Sequence, residues 1–387
     1  MIGMVDSIHI ARWLVQFEGT EHEIVVSPSR RFRRINPELL SVTRRSQNIK
    51  IAGFGRASFV SGYIDFLFID LLSSVLNVNL RSWKLRKIIH HSNLDVIHAI
   101  EMQSAGYLLL ELDHSKLKDI EIIFTNWGSD LFFYQHDKNH LKKIKLVLEN
   151  IDIYAAECAR DYEFAKIFGF EGRYLPTIPN AGGFSIAPRL GTPASQRNLI
   201  LIKGTGDKFG NIDLLLPLLS EVLQRFIKIN LIFYSTTPDS AVKIQETLQL
   251  HPNRVLSIPT SQKLTHDEML NLFSKARIYI SSSLSDGIST SFLESLISGS
   301  YPIQSNTSCA NEWIKKGFLG SVLPNDADLY REHLLEALES DDLVDRAQKQ
   351  NYEMSKKFLE KSQITLISKK FYDLEYLSGL PRDASEV

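Results

Sequence analysis

The chain has 387 residues, a formal net charge of -1 and an apolar fraction of 44%. This length exceeds what one hydrophobic core usually supports, so we expect two domains. A net charge near zero provides no broad attraction for nucleic acid, and we expect no such partner.

The amino-terminal segment MIGMVDSIHIARWL is not typical of a signal peptide, because Asp6, His9 and Arg12 interrupt its apolar residues. The longest apolar region, residues 59–80, contains Asp65 and Asp70 and is too polar to span a bilayer unaided. We therefore expect a cytoplasmic protein. A peripheral contact with the inner membrane surface stays open.

Strand-like and helix-like segments alternate along the chain, which favours an α/β fold with parallel sheets. Strands are predicted in the first half at residues 23–27, 48–52, 95–99, 121–125 and 152–156, followed by a helix at 160–168. Residues 179–195, rich in Pro, Gly, Ala, Ser and Thr, are the expected linker. Later strands are predicted at 198–202, 229–234, 255–258, 278–281 and 302–304, and helices from 212 and at 267–276 and 328–338. Residues 343–377 predict one or two helices, and the chain from 383 a frayed tail.

The segment 281–305, SSSLSDGISTSFLESLISGSYPIQS, predicts a strand end, a loop, a helix and a further strand. The free amides at the start of this helix favour phosphate binding, and Gly287 permits close backbone approach. Glu294 lies one turn inside the helix and is a candidate acceptor for ribose hydroxyls, and Asp286 is a candidate for holding a transferred sugar. The donor-binding candidates here are Gly287, Ile288, Ser289, Thr290 and Glu294. A structural alternative stays open, in which Ser291 and Glu294 form a capping box and Asp286 is a turn residue.

Lys203, Gly204 and Lys208 follow another predicted strand, at the edge of the sheet where ligands bind in such folds. The spacing is that of neither a phosphate-binding P-loop nor a dinucleotide fingerprint. Two cations at this place suit neutralisation of a departing diphosphate. The alternative is that both lysines are ordinary solvated surface residues.

The segment Thr125-Asn-Trp-Gly-Ser-Asp is a third loop after a predicted strand. Trp127 is a candidate for stacking on a sugar, or a core or hinge aromatic residue. Asp130 is a candidate hydroxyl ligand or a helix cap.

Together these residues make the chain resemble the retaining glycosyltransferases of family 4. In that family an acidic residue is followed, after seven intervening residues, by a glutamate. In this chain the acidic residue is Asp286 and the glutamate is Glu294. The family's basic pair, an Arg followed by a Lys, falls on Lys203 and Lys208, so the first position is Lys here instead of Arg. Its histidine-glycine loop falls on Trp127 and Gly128, so the histidine is replaced. The family's first loop, where the acceptor approaches, is similar to the segment around His9, after a first strand that is unusually short.

The resemblance implies the GT-B fold, with two Rossmann-like doubly wound α/β domains that face a central cleft. It implies an acceptor-binding domain at 1–180, a donor-binding domain at 196–362 and a carboxyl-terminal helix at 363–387 that packs on the first domain. It also implies transfer of a hexose from a nucleoside diphosphate sugar with retention, using Lys203, Lys208 and Asp286. No cofactor and no metal are expected, and the pair Asp326 and Asp328 is expected to cap a helix instead.

The expected acceptor is a glycan or a lipid-linked saccharide in cell-surface polysaccharide or lipopolysaccharide synthesis. The candidate acceptor residues are His9, Glu101, Trp127, Gly128 and Asp130. The arginines at 30, 31, 33 and 34 can pair with phosphates, either of the acceptor or of a bilayer, or can be merely exposed. His98 can also contact the acceptor, although a lone histidine there is more often hydrogen-bonded in place.

Two other functions remain open. A nucleotide-sugar epimerase on the same fold needs an acid–base pair at the site. A non-catalytic sugar-nucleotide-binding protein would explain why Lys203, Trp127 and Asp286, which stands where the family usually has Glu, all depart from the family pattern.

Overall fold

The computed structural model describes residues 1–32, 34–52, 71–72, 80–180, 182–206 and 209–382. Arg33, Lys208, the tail from 383 and nearly all of the apolar region 59–80 lie outside these residues. The chain divides into a first unit, Met1–Gly183 with the chain from Ser362 onward, and a second unit, Phe184–Lys361. The expected limits at 180 and 362 lie beside these boundaries, whereas the second unit begins at Phe184, twelve residues before the expected start at 196.

The first unit contains a parallel seven-stranded sheet of order β3-β2-β1-β4-β5-β6-β7. Its strands are β1 Ile2–Gly3, β2 Ile24–Pro28, β3 Ile49–Ile51, β4 Val96–Ile100, β5 Glu121–Thr125, β6 Ile153–Ala155 and β7 Arg173–Tyr174. Its α-helices among the described residues are Ile8–Val15, Pro37–Arg45, Leu80–His91, Tyr107–Leu109, Lys138–Leu148, Ala159–Ile167 and Leu374–Ser378, and Lys361–Lys369 begins at the unit boundary. A π-helix, Met102–Gly106, follows β4. The central strands are buried along almost their whole length, as expected when helices cover both faces of a sheet.

The second unit contains a parallel six-stranded sheet of order β10-β9-β8-β11-β12-β13. Its strands are β8 Leu199–Lys203, β9 Asn230–Thr236, β10 Val255–Pro259, β11 Ala276–Ser281, β12 Tyr301–Ser305 and β13 Ser321–Leu323. Its α-helices among the described residues are Ile212–Arg225, Pro238–Leu248, His266–Lys275, Thr290–Ser298, Ala310–Lys315, Ala327–Glu339 and Asp341–Phe358. The reversal of strand order between β8 and β11 creates the switch point where doubly wound sheets bind ligands.

The predicted strands are confirmed with shifts of a residue or two at their ends. The short strands β7 and β13 went unpredicted because two or three residues carry too little pattern. The expectation of one or two helices at 343–377 was wrong. Three helices occur there, because Glu360 leaves the helix to form a bridge with Phe184 and Asp373 caps a new helix. Among the described residues no helix is both long enough and apolar enough to cross a membrane.

The carboxyl-terminal segment is attached to the first unit by buried polar contacts as well as by packing. Trp13 Nε1 donates to the Tyr372 hydroxyl at 3.1 Å, and His98 Nδ1 lies 2.8 Å from the same hydroxyl. His98 Nε2 lies 2.6 Å from Thr125 Oγ1 on the neighbouring strand. Burial lowers the pKa of His98 to about 3, so the imidazole is neutral at physiological pH. His98 is therefore hydrogen-bonded in place, as the structural alternative held.

Replacing Tyr372 by Phe is expected to destabilise the first unit by about 1–3 kcal/mol, because the buried side chains of Trp13 and His98 each lose a partner. Urea unfolding followed by tryptophan fluorescence measures the change. Tyr352→Phe is the matched control, since that hydroxyl donates to the Ala187 carbonyl at an exposed position where water can replace it. Equal effects of the two substitutions would contradict this explanation.

Candidate functional site

The candidate site of the second unit lies at the carboxyl ends of β8 and β11. These strands are hydrogen-bonded neighbours and run parallel, so the loops that follow them leave the sheet at the same edge. Lys203 is the last residue of β8, and the loop 282–289 follows β11 and leads into the helix Thr290–Ser298. Adjacent strands thus bring together residues that are far apart in sequence.

Asp286 and Lys203 form an ion pair at this edge. Lys203 Nζ lies 3.3 Å from Asp286 Oδ2, and each side chain is only about a quarter exposed, at 25% and 26%. Asp286 Oδ1 also accepts a hydrogen bond from the Gly287 amide at 2.9 Å. Lys203 is therefore not an ordinary solvated surface residue. Asp286 thus lies in the loop after β11, as the sequence predicted. It also accepts from the next amide in the chain, as expected if it is a turn residue.

The helix Thr290–Ser298 begins without a cap from its own N-cap side chain. Its N-cap residue is Ser289, which has extended backbone angles and makes no side-chain bond to the first turn. The capping-box alternative for Ser291 and Glu294 is wrong, because Ser291 already lies inside the helix. Amides at such a helix start carry partial positive charge and favour an anion. At the other end, Gly299 has φ +75°, a left-handed conformation that favours glycine.

Glu294 lies one turn inside this helix and is buried. Its Oε1 lies 3.0 Å from Nε2 of His266, the first residue of the helix His266–Lys275. The predictions from sequence did not assign His266 to the site. The Thr265-x-x-Glu268 spacing marks the helix start that positions His266, but it does not indicate that His266 contacts Glu294.

The loop after β8 packs closely against its neighbours. A Cβ at Gly204 would lie 2.6 Å from Thr236 Cγ2, so the close packing requires glycine. The Leu284 amide donates to the Phe209 carbonyl at 2.8 Å, and Ser282 Oγ donates to the Asn211 carbonyl at 2.6 Å. These bonds tie the loop after β8 to the loop after β11. Lys208 lies outside the described residues, and its part in the site stays a prediction.

A network of side chains that the sequence did not predict supports the loop after β11. The Ser283 carbonyl accepts hydrogen bonds from Ser305 Oγ, Thr307 Oγ1 and Asn325 Nδ2 at 2.8, 2.5 and 3.2 Å. Multiple donors to one carbonyl fix the backbone just before Asp286. The Asp326 carboxylate accepts from the amides of Asp328 and Leu329, which confirms the predicted helix cap.

In the first unit, His9 and Trp127 come together at the carboxyl edge of the sheet. Their rings meet edge-on, with centroids 5.4 Å apart and an interplanar angle of 68°. Both side chains are partly exposed, and Trp127 also packs against the core of the first unit. The pair therefore combines a packing role with an accessible aromatic surface.

Asp130 and Glu101 bind backbone groups beside Trp127. Asp130 is buried, and its Oδ2 accepts from the amides of Trp127 at 2.8 Å and Met102 at 3.0 Å. Glu101 has φ +81° and accepts from the amides of Gln103 and Ser104, both at 2.9 Å, at the start of the π-helix. Burial and, next, the negative charge of Glu101 raise the pKa of Asp130. These contacts favour the capping alternative for Asp130 and give Glu101 a similar structural role.

Two of the remaining candidates, Gly128 and Arg30, have structural partners as well. The Gly128 carbonyl accepts from Arg160 at 3.1 Å. Arg30 pairs with Asp6 at 3.0 Å, while Arg31 and Arg34 are exposed.

Two family profiles match most of the chain. The profile described as Glycosyl transferase 4-like matches residues 1–157, and that described as Glycosyl transferases group 1 matches residues 190–354. No curated protein matches the chain by sequence.

Solved structures with the same architecture cover almost the whole chain. HepE from Anabaena, in complex with UDP and glucose, is similar at 11% identity and a TM-score of 0.69, over 96% of this chain and 99% of that one. Sucrose-phosphate synthase from Thermosynechococcus elongatus is similar at 12% identity and a TM-score of 0.69, over 98% of this chain and 99% of that one. A glycosyltransferase from Rickettsia africae is similar at 14% identity and a TM-score of 0.61, over 98% of both chains. At these identities the similarity establishes the fold alone.

Proposed function

The chain belongs to the group 1, family 4-like glycosyltransferases and has the GT-B fold, and on that premise we propose that it transfers a hexose from a nucleoside diphosphate sugar to a glycan or lipid-linked acceptor with retention. The observation that carries the proposal is the arrangement of the second unit. An uncapped helix start, the Lys203–Asp286 pair and the buried Glu294 adjoin one sheet edge. Related architectures that bind UDP and glucose support this donor class.

Lys203 and the helix start are proposed to stabilise the leaving diphosphate. The bond from the anomeric carbon to the diphosphate oxygen breaks, and a bond from the acceptor oxygen to that carbon forms on the same face. The acceptor's proton passes to the leaving diphosphate, so no dedicated general base is required. Preorganised positive charge at the site of charge development contributes most in such a step. Lys208 is proposed to add a second cation, and no metal is expected.

The acceptor is proposed to bind the first unit at the edge that carries His9 and Trp127. An aromatic ring with an exposed face suits a sugar, because its apolar surface packs against the ring carbons. Glu101 and Asp130 are proposed to hold the backbone around this surface. The exposed Arg31 and Arg34 suit a phosphate of a lipid-linked acceptor or of a membrane surface in cell-surface polysaccharide synthesis.

A thermal-shift screen against UDP-, GDP-, ADP- and CMP-sugars tests the donor class. A ligand that binds only the folded state at about 100 times its Kd stabilises the protein by about 2.7 kcal/mol. We expect stabilisation by at least one nucleoside diphosphate sugar, release of the nucleoside diphosphate when acceptor is supplied, and retained anomeric configuration in the product by NMR. Epimerised donor in the absence of acceptor, or tight binding without any transfer, would contradict the proposal.

A further inference from the structure

The contact between His266 and Glu294 brings a histidine from a separate helix onto the proposed ribose-binding carboxylate. With Glu294 ionised, its carboxylate only accepts hydrogen bonds, so the 3.0 Å contact is one that His266 Nε2 donates to Glu294 Oε1. Glu294 is almost completely buried, with a side chain 7% exposed, whereas His266 is 32% exposed. The imidazole is thus the more accessible member of the pair.

The backbone of His266 is fixed by a capping box. Thr265 Oγ1 accepts from the Glu268 amide at 3.2 Å, and Glu268 Oε2 accepts from the Thr265 amide at 2.7 Å. These reciprocal bonds satisfy amides at the helix start and set its direction. His266 directly follows Thr265 inside this box, so the capping box determines where its side chain begins.

The imidazole is also packed against an aromatic ring. Its centroid lies 6.3 Å from that of Phe184, with an interplanar angle of 40°. Phe184 is itself buried and fixed by its backbone, since its amide donates to the Leu359 carbonyl and its carbonyl accepts from the Lys361 amide, both at 2.8 Å. His266 is therefore held from two directions while it donates to Glu294.

We propose that His266 is a positioning residue that sets the orientation of Glu294 for the ribose hydroxyls of the donor nucleotide. This inference rests on the proposed function. A carboxylate offers about four lone-pair sites, so Glu294 can accept from His266 and from a sugar hydroxyl together. A carboxylate held in one rotamer binds a hydroxyl with less loss of side-chain freedom than a mobile one. His266 thereby increases affinity for ribose without touching the base or the diphosphate.

The positioning role predicts an effect that depends on the ribose hydroxyls. UDP and its 2′,3′-dideoxy analogue share base and diphosphate, and only UDP offers hydroxyls to Glu294. Losing the His266 contact should therefore weaken UDP and leave the dideoxy analogue nearly unchanged. A general disturbance of the helix start would weaken both.

Isothermal titration calorimetry on the full chain tests this with His266→Ala, His266→Gln and a control, His333→Ala. His333 also pairs with a carboxylate, Glu336 at 3.8 Å, and is 33% exposed, but it lies in the helix Ala327–Glu339. We expect His266→Ala to weaken UDP about tenfold and the dideoxy analogue less than about twofold. His266→Gln, whose amide also donates, should restore most of the affinity, and His333→Ala should have no effect.

Equal losses for UDP and the dideoxy analogue, or no loss for either, would overturn the role of His266. Glu294→Ala separates failure at His266 from failure at Glu294: undiminished UDP binding in that variant overturns the ribose contact of Glu294, and with it the role of His266, while the donor class stands. ADP and GDP with their dideoxy analogues are titrated in parallel. If none of the three nucleotides binds the wild-type chain, both the inference and the donor class are overturned.

Discussion

Replacing Lys203 by Met is expected to lower kcat/KM by about 10²–10³, equivalent to about 2.7–4 kcal/mol of transition-state stabilisation. Methionine retains the apolar stem and removes the charge. Lys203 lies at the carboxyl end of β8, 3.3 Å from Asp286 and beside the loop that opens the uncapped helix. In the proposed reaction, negative charge develops on the diphosphate at this place, so the loss should fall on kcat more than on ground-state binding.

Initial-rate kinetics with the donor identified by thermal shift measures this effect. Lys243→Met is the matched control, because Lys243 also pairs with an aspartate, Asp213 at 2.6 Å, but at an exposed position in the second unit. No loss in a folded Lys203→Met variant, or an equal loss in Lys243→Met, would contradict a role for Lys203 at the diphosphate.

Replacing Glu294 by Ala is expected to weaken nucleoside diphosphate binding by about 10–100-fold, because hydrogen bonds to a charged group contribute about 1.5–3 kcal/mol. The effect should appear in the Kd of the nucleotide alone, since the ribose is distant from the bond that breaks. Calorimetric titration of wild type and variant with UDP, GDP or ADP measures it.

Glu339→Ala is a suitable control for Glu294→Ala, as Glu339 pairs with Arg225 at an exposed position in the same unit. The melting temperature of each ligand-free variant checks that the fold is retained. Unchanged nucleotide affinity in a folded Glu294→Ala variant would show that Glu294 does not bind the ribose.

The edge of the sheet that carries the site was predictable because alternating strands and helices force parallel strands, whose carboxyl ends meet at one edge. That reasoning brought Lys203 and Asp286 to the same loop cluster. It could not show that the two side chains pair, since they are 83 residues apart and only the β8–β11 neighbour relation places them within 3.3 Å.

The local role of Glu294 could not be decided from sequence, because Ser-x-x-Glu fits both a cap and a ligand. The structure starts the helix at Thr290, one residue before Ser291, which removes the capping box. It then supplies a partner, His266, from another helix. A pairing that depends on how two helices pack leaves no spacing in the sequence.

In the first unit the sequence marked the loops after β4 and β5 as candidates but could not show what their carboxylates contact. Asp130 and Glu101 follow strands, as ligands do, yet both accept from nearby amides. Sequence cannot reveal that the π-helix after β4 leaves backbone donors that require these acceptors. His9 and Trp127 remain the residues with accessible side chains there.

Hydrogen–deuterium exchange of the full chain with and without UDP-glucose tests the location of the donor site most directly. We expect slower exchange for the amides at residues 284–294 and 199–206, because a bound diphosphate satisfies the helix start and orders the two linked loops. GDP- and ADP-glucose are compared in parallel. Protection confined to other parts of the chain, or none with any of the three nucleotide sugars, would contradict a nucleoside diphosphate sugar site at the carboxyl ends of β8 and β11.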